Sequence, residues 1–165
     1  MEDSERFWDE RYRNEEAVPE RGSWWLPMAL LGGALVVIWV YFAVLAAMGV
    51  EPRTNIPDEA FNSVPLTVLV GIISLALAPV MEETFFRGFL FGGLRDRWGF
   101  FFAALSTGFL FSLAHADPLV IIPFTVVGAI FAGGYVYSGS ILAGMIAHLL
   151  FNSISFGLAV SGVAG

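Results

Sequence analysis

Cysteine is absent from this 165-residue chain, and so is lysine, because all eight basic residues are arginine. The missing cysteine excludes disulfides, thiolate nucleophiles and Cys-ligated metals. Charge of either sign is scarce: Asp, Glu, Lys and Arg make up 14% of the residues, against about 25% in soluble domains. No basic stripe of the kind that binds nucleic acid is present, so nucleic acid is not an expected partner. What fills the chain is oil. It is 57% hydrophobic, with a mean hydropathy of +0.74. The net charge of -7 arises mainly at the front, where residues 1–21 hold eight acids and four arginines.

Charge-free stretches locate the membrane. Residues 24–50 form one, long enough to cross a hydrocarbon core of about 30 Å with some tilt. Residues 60–81 form a second. Residues 98–116 form a third, ionisable only at His115, and residues 118–165 are ionisable only at His148. The last run is too long for one span, and "GGYVYSGS" at 133–140 supplies turn chemistry to divide it. The expected fold is all-α, a polytopic membrane helix bundle of about five transmembrane helices. It divides into an acidic, Arg-containing tail over 1–22 and a transmembrane domain over 23–165, with no internal repeat and no second domain. A secretory signal does not fit, since the first apolar run is too long and starts after a charged tail. Trp24, Trp25, Trp98, Tyr135 and Tyr137 fall at segment ends, as interfacial aromatics do.

The arginines set an orientation. Arg6, Arg11, Arg13, Arg21, Arg95 and Arg97 fall on one side and Arg53 on the other. The positive-inside rule then places the N-terminus and the Arg95 loop in the cytoplasm. The compact chain points to a prokaryotic plasma-membrane protein.

Three charges interrupt the apolar pattern in "MEETFFRG", residues 81–88. Glu82 lies about 13 residues before Arg95, or roughly 20 Å into the bilayer. A single charge at mid-membrane costs about 2.5–3.5 kcal/mol on insertion scales. The segment 64–94 would run roughly 46 Å as a helix, so it must tilt, protrude or bend, with Gly92-Gly93 the candidate bend. Glu83 and Arg87 are spaced i,i+4 with the acid first, the favourable order for a same-face ion pair. A structural clamp is an equal reading of that pair. Glu82 points about 100° away, toward no partner on its own helix. A buried carboxylate of that kind is a candidate general base.

The groups that could join it are His115, in "FLFSLAHAD", and His148, in "SILAGMIAHLLFN", with Asn152 one turn later on the same face. Helix rise puts His115 roughly 24 Å and His148 roughly 14 Å from the cytoplasmic turns. Singly, each has a bland reading: an interhelical hydrogen-bonder for the histidines, packing glue for Asn152, plain packing for Phe111. Together, one Glu, two His and one Asn at similar depth are able to hold and activate a water. A carboxylate and an imidazole would share its proton, while a second imidazole and an amide would stabilise an oxyanion.

These residues also carry a resemblance. E-E-x-x-x-R at Glu82–Arg87, F-x-x-x-H at Phe111–His115 and H-x-x-x-N at His148–Asn152 resemble the three signatures of the CPBP intramembrane proteases. That family joins type II CAAX prenyl endopeptidases to bacterial and archaeal relatives, some linked to bacteriocin processing or immunity. The similarity spans about residues 64–160. It implies that Glu82 activates water with His115, that His148 and Asn152 form the oxyanion hole, and that Glu83 and Arg87 hold and tune the site. No cofactor is expected. Zinc is the alternative, but neither H-E-x-x-H nor a closed ligand set with known metal spacing occurs.

Three functions follow for comparison. The favoured one is an intramembrane endopeptidase cutting a membrane-associated peptide or protein. The second is a non-catalytic scaffold or immunity-type protein of the same fold. The third is a small transporter relaying protons through buried Glu and His, which the short chain and the lack of inverted repeats disfavour. The sequence leaves substrate, cleavage site and oligomeric state open.

Overall fold

The structure, a computed structural model, describes residues 25–50 and 58–162. The N-terminal tail, Trp24 and Arg53 lie outside the described residues. Five helical spans stand out. α1 is Leu26–Ala47, started by Pro27 in its first turn. A single 3₁₀ turn at Asp58–Phe61 leads into a helical run, Val64–Leu113, of 50 residues. A straight helix of that length would measure about 75 Å, more than twice the hydrocarbon core. Gly99 breaks it, with φ 74° and ψ 173°, a conformation open essentially to glycine alone. The two arms are α2 (residues 64–98) and α3 (residues 100–113). A 3₁₀ turn at Pro118–Val120, capped by the Asp117 carboxylate accepting from the Leu119 N–H, starts α4, Ile121–Ser138. α5 is Leu142–Val160.

One local expectation is corrected. Gly92-Gly93 is not a bend: Gly92 has φ -56° and ψ -50°, and the chain reverses at Gly99 instead. α2 does deform, but through π-helical turns at Ile73–Leu77 and Thr84–Phe91. The turn expected within residues 133–140 is there, at the far end of that stretch, beyond Gly133 and Gly134. α4 runs through both and ends at Gly139, in the left-handed conformation. Inside α4, Gly134 lies flat against Leu30 of α1.

Packing explains those glycines. Lipid tails are as apolar as leucine, so helices in a bilayer gain little from hydrophobicity and associate through close van der Waals contact. Gly108 of α3 and Gly128 of α4 cross so closely that a Cβ on Gly128 would lie 2.6 Å from the Gly108 Cα. One apolar core joins Leu26, Leu30, Leu31 and Ala34 of α1 to Val127 and Phe131 of α4 and Ala147 of α5. A second joins Phe91 of α2 to Ala103 and Ala104 of α3 and Ala132 of α4. The outer surface is apolar too, with Trp39 73% and Phe89 72% exposed. Apolar residues outside and charges inside are the arrangement of an integral membrane protein.

Gly128→Val should force α3 and α4 apart and cost about 1–3 kcal/mol, the usual scale of overpacking. Gly92→Ala, which meets nothing within 4 Å, should leave stability unchanged or raise it by about 0.5–1 kcal/mol. Melting in detergent compares the two, and an unaffected Gly128→Val would contradict the close crossing.

Candidate functional site

The quoted octapeptide sits where α2 meets α4 and α5. Glu83 is 0% and Arg87 1% exposed. Arg87 Nη1 stands 2.9 Å from Glu83 Oε1 across one helical turn, the pair expected from the i,i+4 spacing. Arg87 Nη2 donates to the Gly128 carbonyl of α4 at 3.3 Å. Its guanidinium also lies 4.7 Å from the Phe111 ring centroid and 5.4 Å from that of Phe131, placing the cation between two aromatic faces.

Glu83 has a further partner that its own helix could not reveal. His148 Nδ1 of α5 approaches the same Oε1 at 3.2 Å. Since a carboxylate only accepts, Nδ1 carries the hydrogen. The other carboxylate oxygen, Oε2, presses on α5 at Gly144, where a Cβ would lie 2.8 Å away. Glycine at 144 is the space that lets a buried carboxylate enter. The far side of the His148 ring faces the second acid, with Nε2 3.7 Å from Glu82 Oε2. The imidazole is therefore held between the two glutamates.

Glu82, His115, His148 and Asn152 all line one cavity of about 530 Å³. Glu82 retains 29% side-chain exposure, in contrast to its sealed neighbour. His115, in the turn ending α3, is hydrogen-bonded through Nδ1 to the Phe111 carbonyl at 2.9 Å. A carbonyl accepts, so Nδ1 is the protonated nitrogen and a neutral ring keeps its lone pair on Nε2. Phe111 is more than filler between helices. Its ring packs against His115 at 4.9 Å, His148 at 5.7 Å and Phe86 at 5.4 Å between centroids.

Asn152 reaches back to α2, donating from Nδ2 to the Ser74 carbonyl at 2.9 Å. The need for that bond is built into α2. The Ala78 N–H bonds the Ile73 carbonyl in π register, so it does not serve Ser74 as in an α-helix. The next residue in that register is Pro79, which has no N–H to give. Ser74 is left with an orphan carbonyl in a medium without water, and the Asn152 amide takes it. This contact was not read from the sequence. The proline inside an apolar span was its available signal.

A metal ion would need several ligating side chains gathered at one point. Among the described residues no three His, Asp or Glu side chains gather closely enough to ligate one.

Five helical spans around a cavity lined by an acid, two imidazoles and an amide make a polytopic membrane helix bundle. The model of the type II CAAX prenyl endopeptidase Rce1-like family matches residues 64–154, more than half of the chain, and the chain belongs to that family. A Bacillus subtilis (strain 168) protein named "Putative membrane peptidase YdiL" is 34% identical over 95 residues, 58% of this chain and 38% of its own. An uncharacterized 24.3 kDa protein of Escherichia coli is 30% identical over 126 residues, 72% of this chain and 58% of its own. The membrane-embedded CAAX protease MroQ of Staphylococcus aureus (strain USA300) is 29% identical over 150 residues, 84% of this chain and 60% of its own. The chain thus spans between 38% and 60% of the length of these relatives. No solved structure matches significantly.

Glu83→Gln should strand the Arg87 cation in low dielectric, a defect of about 3–5 kcal/mol. The variant should melt early, and adding Arg87→Met should recover part of the loss. A Glu83→Gln protein as stable as the parent would show that the pair does not hold the bundle.

Proposed function

We propose that the chain is an intramembrane endopeptidase that hydrolyses a peptide bond of a membrane-associated substrate, using a glutamate-activated water and no metal. The single observation that carries this reading is the shared cavity, onto which Glu82, His115, His148 and Asn152 face from three separate spans. Family membership and the printed name of the Staphylococcus aureus relative, a membrane-embedded CAAX protease, support the reaction class.

In this mechanism a water sits between Glu82 and the Nε2 lone pair of His115. Glu82 accepts its proton as the water oxygen attacks the scissile carbonyl. The resulting oxyanion is met by the His148 Nε2–H, the ring acting as an imidazolium with its Nδ1–H on Glu83, and by the second N–H of the Asn152 amide. Donors held in place before the reaction cost no reorganisation when the charge develops. The proton taken by Glu82 then passes to the leaving amine as the C–N bond breaks. Glu83 and Arg87 touch neither water nor substrate; they position His148.

Purified protein with a fluorogenic membrane peptide tests this. His115→Ala should lower kcat by about 10²–10⁴-fold, the range for a lost acid–base partner. Asn152→Ala should lower it by about 10²–10³-fold and also melt early, through the orphaned Ser74 carbonyl. Strong chelators should leave cleavage intact. Stoichiometric zinc that leaves together with activity would replace this mechanism with a metal-dependent one, and wild-type rates in both variants would remove the cavity from the chemistry.

A further inference from the structure

The cavity lies toward one end of the bundle. Its wall is drawn from the late part of α1 (Ile38, Phe42), the early part of α2 (Ser74, Ala78) and the last turn of α5 (Leu158, Ala159). Val120, in the turn entering α4, completes the rim. Because the spans alternate in direction, those positions all belong to the same end. Toward the other end the floor is closed by the fully packed Glu83, Arg87, Phe91 and Phe131. Beyond it lie the Gly99 turn, with Arg95 and Arg97 exposed, and the start of α1, preceded in sequence by Arg21. Basic residues thus cluster at the closed end. Arg53 is the one arginine in the connections at the open end.

The bias of arginine toward cytoplasmic loops assigns the closed end to the cytoplasm. We infer that the cavity opens to the extracytoplasmic side, so that the substrate is a translocated peptide segment lying in the outer half of the bilayer. The wall narrows its chemistry further. Phe42, Phe124, Phe151 and Phe156 face the cavity, and Glu82 is its only acidic side chain. Among the described residues no arginine lines it. The segment is therefore an extended, apolar one, carrying a bulky uncharged side chain beside the bond to be cut. This inference rests on the endopeptidase reading for its substrate, but its geometric half is tested without any catalysis.

The natural absence of cysteine makes the chain its own background for single-cysteine labelling. Ser155→Cys reports the cavity wall, Leu158→Cys reports the rim should the first variant fold poorly, and Asp96→Cys reports the closed end. A membrane-impermeant maleimide is added to intact bacterial cells expressing the full chain, and again after permeabilisation. The expected result is at least tenfold more labelling of Ser155→Cys or Leu158→Cys than of Asp96→Cys in intact cells, with Asp96→Cys labelled only after permeabilisation. The reverse pattern overturns the inference. A second arm uses reporters whose apolar cleavage segment is tethered on either the outer or the inner face, and cutting of the outer one is expected. Cutting of the inner reporter alone overturns the substrate assignment. If labelling is outward but neither reporter is cut, the endopeptidase reading fails and the substrate assignment with it, while the outward opening stands.

Discussion

One buried carboxylate organises the bundle. Glu83 sits in a medium that offers it no water, and a bare charge there is prohibitive. Its compensation is drawn from the surrounding helices: Arg87 one turn along α2, His148 from α5 and the cleared space at Gly144. Arg87 in turn requires the Gly128 carbonyl of α4 and the rings of Phe111 and Phe131. Accommodating this one side chain thus ties together α2, α3, α4 and α5. Apolar packing alone specifies such a meeting weakly, since many rotations of a leucine-rich helix bury comparable surface.

The same constraint prepares the cavity. His148 is held by Glu83 before any substrate arrives, and Asn152 is held by the carbonyl that Pro79 and the π turn leave unpaired. Both groups are fixed by the backbone and charges of α2, the helix that also carries Glu82. α2 thereby supplies the reacting acid and the supports for the groups facing it. The π-helical turns, costly in an ordinary helix and frequent at functional sites, coincide with this work.

Much of this was legible in the residues. Charge-free runs marked the five spans, and the i,i+4 rule paired Glu83 with Arg87. Helix rise brought Glu82, His115 and His148 to similar depths. Two features were not legible. The His148–Glu83 contact joins residues 65 apart, and periodicity carries no information about which helix neighbours which. The Ser74–Asn152 bond depends on a π register that no residue pattern announces, although Pro79 marked the place where a carbonyl would be freed.

Glu82 and Glu83 are adjacent in sequence and opposite in circumstance, one facing the cavity and the other sealed within the bundle. The account stands on that division, and Glu82→Gln tests it most directly, with cleavage and melting measured on the same preparation. The substitution keeps shape and hydrogen bonding and removes only the base. The expected result is loss of cleavage with a melting temperature close to that of the parent, since glutamine keeps the side chain beside His148 and removes a partly buried charge that is costly to desolvate. A Glu82→Gln protein that unfolds early, or one that cleaves at the parental rate, would contradict it.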